Sequence, residues 1–304
     1  MIDTPMDVLK NHPVRRTTKQ KKAFRASVQS YLERQGYSVR EEGRGKVKNL
    51  VFGDPETARF LISAHYDTPA AAWEPQIQMP CNRFLNGLCQ SFNALVGLIP
   101  ALGAGVLAWF LSHDLHMAAG ALAVLAILRP VLMLFGPANR RNANGNTSGV
   151  VALLETAASM PQNLRSRVCF VLLDRGEPDM AGSAAHRKAH FLASRYQTVI
   201  DLNCVGDGDT VMFFPGREME GDVNLLCLER RCGPKSVSVW KKPSAWVSDH
   251  LNFPRSVGVA ALRRGKLGYW LGRTHTFRDT VLDYTNVNIL RACLITYISS
   301  PAAE

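Results

Sequence analysis

Two long apolar segments constrain the fold of this chain more than any other feature. Every residue from 93 to 111 is uncharged, and the segment from 117 to 136 is apolar apart from Arg129. Each segment is about as long as the ~20 residues that a helix needs to cross a hydrocarbon layer of ~30 Å. Because only a short polar link separates them, the two segments predict a tight helical hairpin.

Two placements of this hairpin are open. Long uncharged runs are rare in soluble folds, and small residues at every fourth position (Gly97, Ala101 and Gly105) let membrane helices pack closely. Both features favour insertion into a membrane, with Arg129 within partial snorkelling reach of the membrane surface. Pro100 and the proline that follows Arg129 favour the alternative, which is a hairpin buried inside a soluble protein.

Basic residues flank the hairpin and predict its orientation. Arg83 precedes the first segment, Arg140 and Arg141 follow the second, and the link holds no lysine or arginine. Since positively charged flanks stay inside the cell, we expect a protein of the cell membrane whose globular part faces the cytoplasm. Seven scattered cysteines without a C-x-x-C pair, and an N-terminus without a signal peptide, agree with this location.

The net charge of +11 limits the partners that the protein can have. A basic surface of this kind fits contact with anionic lipids. No basic run in the sequence is interleaved with aromatic residues, as a nucleic-acid surface would need, so no nucleic-acid partner is expected.

Outside residues 71–139, strand patterns and helix patterns alternate along the chain. The predicted strands are 38–40, 49–52, 59–64, 167–173, 198–202, 210–214 and 257–262. The predicted helices are 17–36, 150–160, 181–193 and 284–297. This alternation predicts an α/β fold with a mainly parallel (mixed) sheet and helices on both faces. We therefore expect residues 1–70 and 140–304 to form one domain, with residues 71–139 as an insertion that contains the hairpin.

Side chains that can bind a metal follow several of these strands. His65 and Asp67 directly follow the third strand and, being two residues apart, point to the same face. Glu177 follows the fourth strand, Asp201 lies at the end of the fifth, and His275 lies near the C-terminus. Such residues can converge at the carboxyl edge of a parallel sheet, and two histidines with two carboxylates form a zinc-type ligand set. The alternative is a hydrogen-bonded histidine at a strand end.

Six motifs follow one another in the order of a known family. Residues 64–67 (Ala-His-Tyr-Asp) contain His-x-Asp, residues 144–149 resemble Asn-Asp-Asn-x-Ser-Gly, and residues 176–183 resemble Glu-Glu-x-Gly-x-x-Gly-Ser. The later motifs are Asp201, the Ser-Asp-His-x-x-Phe of residues 248–253, and His275 with the Asp-Thr of residues 279–280. This series resembles the co-catalytic zinc aminopeptidases, a family that includes bacterial leucyl aminopeptidase, glutamate carboxypeptidase II and glutaminyl cyclase. The resemblance implies an aminopeptidase/phosphorylase-type fold, with the hairpin inserted between the first two motifs.

The resemblance also implies a role for each matching residue. It implies two pairs of zinc ligands, which are His65 with Asp201 and Glu177 with His275. Asp67 would orient the imidazole of His65. His250, in the fifth motif, would help to shape the pocket for a peptide substrate.

Two positions depart from the family's pattern. The metal-bridging Asp falls at Gly145 and the general-base Glu falls at Gly176, and neither glycine has a side chain. Two metal ions ~3.5–4 Å apart repel strongly unless a shared carboxylate offsets the repulsion, so we expect one bound zinc ion or weak occupancy. A general base typically contributes roughly 10²–10⁴-fold to the rate, so its loss predicts impaired turnover.

Three functions are compatible with these residues. The first is a membrane-associated zinc aminopeptidase-like hydrolase that releases N-terminal residues from peptides, with activity impaired by the two glycines. The second is an inactive homologue that binds peptides or partners at the membrane. The third, a glutaminyl-cyclase-like acyl transferase, is least favoured because that chemistry also uses the two missing carboxylates. On this alignment, Gly145→Asp combined with Gly176→Glu is expected to create or raise aminopeptidase activity.

Overall fold

The computed structural model of the protein describes residues 2–195 and 197–300, so the predicted end of the domain at residue 304 lies outside the described residues. The helices are α1 (Asp7–Asn11), α2 (Thr18–Arg34), α3 (Arg83–Ser112), α4 (Leu115–Phe135), α5 (Thr147–Ala158), α6 (Gly176–Asp179), α7 (Ala181–Ala189), α8 (Val223–Leu226) and α9 (Tyr284–Ser299). The strands are β1 (Val39–Glu42), β2 (Asn49–Phe52), β3 (Phe60–His65), β4 (Val168–Leu173), β5 (Thr198–Leu202), β6 (Thr210–Pro215), β7 (Arg230–Cys232), β8 (Lys235–Val239), β9 (Ser256–Gly265) and β10 (Gly268–Trp270).

These strands form one mixed sheet in the order β1-β2-β4-β3-β5-β9-β6-β8-β7, with β10 paired to β9. The central strands β4, β3, β5 and β9 are parallel to one another. The pairs β1–β2, β2–β4, β6–β9, β7–β8 and β9–β10 are antiparallel. The predicted α/β fold with a mixed sheet is confirmed, and its parallel centre puts the carboxyl ends of β3, β4 and β5 at one edge.

The central strands are buried on both faces because their sequences are apolar throughout. Every residue of β4 is buried, and its side chains alternate between two apolar clusters. Phe170 and Leu172 pack with residues of α2, α5 and α9. Val171 and Leu173 pack on the opposite face with Phe253, in a segment that contacts α7. Helices therefore cover both faces of the sheet, as the sequence predicts.

The predicted helical hairpin is present and is longer than predicted. Helix α3 begins at residue 83 instead of 93, because the side chain of Asn82 accepts a backbone N–H at 3.0 Å and caps it. The link to α4 has only two residues. His113 adopts left-handed backbone with φ 51° and ends α3, and Asp114 caps α4. The first turns of α3 mix polar and apolar residues, so a search for apolar segments misses them.

One face of α3 packs against α4 through small side chains. The buried residues of α3 recur at every fourth position and are Asn93, Gly97, Ala101 and Gly105. A Cβ atom on Gly105 would lie 3.2 Å from the carbonyl oxygen of Ala118 and 3.2 Å from Cβ of Leu122. The predicted close packing through small residues is confirmed.

The other faces of the hairpin are apolar and exposed. Only 17% of the apolar window in α3 and 6% of that in α4 are buried, and both helices are long and apolar enough to cross a membrane. Exposed apolar side chains include those of Leu95, Val106, Phe110, Val124 and Ile127. The soluble alternative required a hairpin buried inside the domain. In the described part of the chain the hairpin is not buried in this way.

Arg129 pairs with a carboxylate of the segment that precedes the hairpin, and its snorkelling toward a membrane surface stays a prediction. Its Nη2 atom lies 2.9 Å from Oε1 of Glu74, whose side chain is 1% exposed. A Cβ atom on Gly97 would fall 2.2 Å from Nε of Arg129, so this glycine makes room for the guanidinium. The charge of Arg129 is therefore neutralised where the hairpin meets the segment that precedes it.

Candidate metal centre

Strands β3 and β4 bring predicted ligands to one edge of the sheet. The strand register pairs His65, the last residue of β3, with Leu173, the last residue of β4. Glu177 follows β4 in the one-turn helix α6. His275 lies in a loop near the C-terminus. This loop is hydrogen bonded to the segment after β3, because the N–H of Ala72 donates to the carbonyl oxygen of His275 at 2.7 Å. The parallel topology thus assembles three residues that are far apart in sequence.

The carboxylate of Glu177 lies between two imidazole rings. Its Oε1 atom is 3.3 Å from Nε2 of His275 and 3.9 Å from Nε2 of His65. This oxygen is buried and has no hydrogen-bond partner among the described residues. A buried carboxylate oxygen without a donor is costly, and a cation shared with the two histidines would remove that cost. Three of the four predicted ligands are therefore brought together.

Asp67 contacts both the histidine and the loop that carries the glutamate. Its Oδ1 atom is 3.4 Å from Nδ1 of His65, which agrees with the predicted orienting role. The carboxylate also accepts the backbone N–H of Gly176 at 2.7 Å and that of Glu177 at 3.2 Å. Asp67 therefore contacts two of the predicted ligands, the imidazole of His65 and the backbone N–H of Glu177.

The charges around the site favour a cation between the three side chains. Burial opposes the protonated form of His65, but Asp67 and Glu177 outweigh burial and raise the pKa of His65 to about 10. Burial is likewise outweighed at His275, whose pKa is raised by Glu177 and Asp279. The negative charge of these carboxylates therefore stabilises positive charge at the two imidazoles. Two histidines and one carboxylate fit zinc, which takes nitrogen and oxygen ligands in open catalytic sites.

Asp201 lies deeper in the sheet than the three clustered ligands, since it pairs with Ser63 in the interior of β3. Its Oδ1 atom accepts the hydroxyl of Ser63 at 2.9 Å, and the β3–β5 register pairs these two residues. This register leaves Asp201 two residues before the level of His65 along the sheet. The assignment of Asp201 as a ligand stays a prediction. The other oxygen of Asp201, Oδ2, is buried and has no hydrogen-bond partner among the described residues.

Gly145 lies beside the cluster without contributing a side chain. Its N–H donates to Oδ2 of Asp279 at 2.8 Å, and the N–H of Asn144 donates to Oδ1 at 2.7 Å. A Cβ atom on Gly145 would lie 3.3 Å from Cδ2 and 3.6 Å from Nε2 of His275. A side chain at this position would reach the cluster, which agrees with its prediction as the place of the missing bridging ligand. Burial raises the pKa of Asp279 to about 6.

Gly176 is packed directly against a predicted ligand. A Cβ atom there would fall 2.3 Å from Cβ and 2.4 Å from Cγ of His65, and 2.9 Å from Oδ2 of Asp249. A glutamate therefore cannot enter this position unless His65 moves, which argues against the expected rescue by Gly176→Glu; the rescue itself stays a prediction. The carboxylate of Asp249 occupies the neighbouring space instead. Burial, together with the charge of Asp201, raises the pKa of Asp249 to about 7.

His250 lies in the interior, in contrast to the predicted position at a substrate pocket. Its side chain hydrogen bonds through Nδ1 to the hydroxyl of Ser248 at 2.8 Å, and the residue is 3% exposed. Burial lowers the pKa of His250 to about 4, so the ring is neutral. A Cβ atom on Gly258 would approach the ring to 2.9 Å. His250 thus supports the segment that carries Asp249.

A cleft of about 770 Å³ opens onto the metal-binding cluster. Its volume is in the range of small-molecule and peptide-end binding sites. The cluster side contributes Asp67, Glu177 and His275. Met133 and Phe135, at the end of α4, also line the cleft. The helical hairpin therefore forms part of the cleft wall.

An α/β sheet with two histidines and a glutamate at its carboxyl edge defines the class of zinc exopeptidase-like proteins. The chain matches the family model of peptidase family M28 over residues 131–293, which is more than half of its length, and it belongs to that family. The predicted relation to the co-catalytic zinc aminopeptidases is thereby confirmed. A search of curated proteins found no match.

Solved structures support the same fold over nearly the whole chain. A glutaminyl cyclase from Porphyromonas gingivalis is similar at 15% identity with a TM-score of 0.58, covering 97% of this chain and 94% of that chain. A Zn-dependent exopeptidase from Parabacteroides distasonis is similar at 15% identity with a TM-score of 0.59, covering 98% of each chain. A glutaminyl cyclase from Macrostomum lignano is similar at 12% identity with a TM-score of 0.55, covering 98% of this chain and 88% of that chain.

Proposed function

We propose that the protein is a membrane-anchored, zinc-dependent hydrolase that removes N-terminal residues from peptides and holds one zinc ion at this centre, with impaired turnover. The observation that carries the proposal is the buried Oε1 atom of Glu177, which faces both His65 and His275 without a hydrogen-bond partner among the described residues. These three side chains would hold the ion. Zinc, when bound, acts as a Lewis acid that polarises a peptide carbonyl and activates water.

The residues around the ion explain why turnover is expected to be impaired. No carboxylate is available at residue 145 to bridge two ions, and residue 176 has no side chain to accept a proton. The carboxylate nearest to that second position is Asp249, with a pKa of about 7. A group that titrates near neutral pH is suited to accept a proton. We therefore assign proton transfer to Asp249, at a rate below that of a freely placed glutamate, because the carboxylate is 1% exposed.

The hairpin is proposed to anchor the protein with its α/β domain in the cytoplasm. Its exposed apolar side chains and the basic residues on both flanks support this orientation. The cleft wall formed by Met133 and Phe135 then lies close to the bilayer. Peptides would be taken from the cytoplasmic side of the membrane surface.

Zinc analysis and a peptidase assay on the detergent-solubilised protein test the metal centre. We compare the wild type with His275→Gln and with His116→Gln, a histidine at the exposed turn of the hairpin. The first variant should lose at most one zinc ion and all hydrolysis of aminoacyl nitroanilides, whereas the second should lose neither. Loss of two ions in His275→Gln would contradict the single-ion proposal. Asp249→Asn should lower kcat by about 10²-fold or more while zinc stays bound.

A second function is favoured by the contact between Gly176 and His65, because that contact leaves no room for a general base at residue 176. In this case the protein binds peptides at the membrane without cleaving them. Peptide binding that requires zinc, measured together with undetectable hydrolysis in the wild type, would select this function. Membrane anchoring is tested by fractionation. A protein that stays soluble without detergent would exclude the anchored form of both functions.

A further inference from the structure

A second group of metal-ligand side chains lies at the same edge of the sheet, away from the metal centre. Glu42 ends β1, His186 lies in α7, and His190 follows α7. One ligand atom from each lies within 4.8 Å of the other two, and among the described residues this is the group of three that meets that distance. The strand register puts Glu42 three strand spacings, about 14 Å, from His65. We propose that Glu42, His186 and His190 bind a structural zinc ion.

The donor atoms are already spaced as zinc ligands. His186 and His190 are four residues apart, which puts both rings on one face of α7. Oε2 of Glu42 lies 3.2 Å from Nδ1 of His186 and 3.1 Å from Nε2 of His190. Tetrahedral zinc with bonds of about 2.0–2.1 Å puts neighbouring ligand atoms about 3.3 Å apart. An ion therefore fits with small adjustments of three side chains.

Hydrogen bonding alone does not satisfy His190 in its neutral form. Its Nδ1 atom faces the carboxylate of Glu56, and its Nε2 atom faces that of Glu42. A neutral imidazole carries one N–H, so only one of these carboxylates can receive a proton. An imidazolium would donate to both carboxylates, and a bound metal ion satisfies them equally, since Nδ1–H then donates to Glu56 while the lone pair of Nε2 binds the ion. A carboxylate behind a metal-binding histidine is a common arrangement in zinc sites.

The surroundings of the other two ligands also suit an ion. His186 is 1% exposed, and its ring lies in the protein interior beside the carboxylate of Glu42. Oε1 of Glu42 accepts a hydrogen bond from Nε of Arg40 at 2.9 Å. This bond holds the carboxylate in place and leaves Oε2 for the ion. Two histidines and one carboxylate match zinc. The side chains of Glu42 and His190 are 16% and 11% exposed, which leaves room for water as a fourth ligand.

The position of this site suggests a structural role. It joins β1, at one end of the sheet, to α7, which follows the short helix that carries Glu177. An ion here fixes the C-terminal end of α7 while Asp249 contacts its N-terminal part through the hydroxyl of Ser183. Zinc at this site should therefore stabilise the fold and hold the segment that positions Glu177, without touching a substrate.

The test counts zinc in the full chain when the metal centre is disabled. In a His275→Gln background, dialysed against micromolar free zinc in detergent, we expect one ion per chain from the site at α7. Adding His186→Gln or Glu42→Gln should remove that ion, and adding Arg187→Gln, on the exposed face of the same helix, should leave it in place. Glu56→Gln should weaken binding by about 10–100-fold. Zinc should raise the melting temperature of the background and of the Arg187→Gln variant only.

Two results would overturn the proposal. One is a His275→Gln background that holds no zinc while remaining folded. The other is a zinc content that stays the same after both His186→Gln and Glu42→Gln, which would make the cluster a hydrogen-bonded network only. If His186→Gln does not fold, Glu42→Gln and Glu56→Gln decide the question, since both keep the shape of the replaced side chain. Zinc lost from the metal centre is detected separately, as the difference in zinc content between the wild type and the His275→Gln variant.

Discussion

Restoring a side chain at each of the two glycines of the metal centre should have opposite effects. At Gly145 a Cβ atom would meet Oδ2 of Asp279 and Cδ2 of His275 at 3.3 Å, contacts that a shift of a few tenths of an ångström relieves. At Gly176 it would meet Cβ of His65 at 2.3 Å, and this atom is fixed by the backbone of β3. We predict that Gly145→Asp strengthens zinc binding and that Gly176→Glu weakens it.

The size of each effect follows from the contacts. Overpacking a core costs about 1–3 kcal/mol, and about 1.4 kcal/mol corresponds to a tenfold change in affinity. Displacing His65 should therefore weaken zinc binding by about 5- to 140-fold and lower Tm by about 2–4 °C per kcal/mol. Since Cβ alone makes the contact, Gly176→Ala should be as harmful as Gly176→Glu. A carboxylate at residue 145 adds an attraction of about 4 kcal/mol per unit charge at ~4 Å, partly offset by Asp279, so we expect at least a tenfold gain.

The assay is competition for zinc against a chromogenic chelator, followed by hydrolysis of aminoacyl nitroanilides. Gly145→Asn is the matched control, because it has nearly the same shape as Gly145→Asp and lacks the negative charge. Equal zinc affinity of these two variants would refute the electrostatic part of the reasoning. A Gly176→Glu variant that keeps its zinc and gains peptidase activity would refute the steric part.

Three further predictions concern the hairpin and the loop of the metal centre. Arg129→Ala should destabilise the fold by roughly 3 kcal/mol in urea titrations, because it leaves the buried carboxylate of Glu74 unpaired, and adding Glu74→Gln should recover most of the loss. Gly105→Leu should separate α3 from α4 and lower Tm, whereas Gly103→Leu, with no atom within 4 Å of its Cβ position, should not. Asp67→Asn should weaken zinc binding by about 10–100-fold in the chelator assay, since its carboxylate contacts two of the predicted ligands. Unchanged affinity would contradict that role.

The sequence predicted the features that depend on local pattern. Apolar strands that end in polar residues placed His65 and Glu177 at one edge of the sheet, because parallel strands share a carboxyl edge. The uncharged segment 93–111 predicted the hairpin, and the small residues at every fourth position predicted its packing face. The motif order predicted the family, and the two glycines marked the positions where this chain departs from it.

Features that depend on distances between distant segments could not be read from the sequence. The β3–β5 register pairs Asp201 with Ser63, two residues before His65, and the sequence alone does not show this offset. The contact between Gly176 and His65 depends on how closely two loops approach. The pairing of Glu42 with the histidines of α7 joins residues more than 140 positions apart, so neither half alone indicates a site.

The hairpin has a consequence for anyone who shortens this protein to obtain a soluble version. Removing residues 83–135 deletes Met133 and Phe135 from the cleft, so the shortened chain would present a cleft that lacks this part of its wall. It also deletes Arg129 and leaves Glu74 as a buried, uncompensated carboxylate. A soluble version should therefore carry Glu74→Gln, and weak peptide binding by it would report the missing wall and not the chemistry of the metal centre.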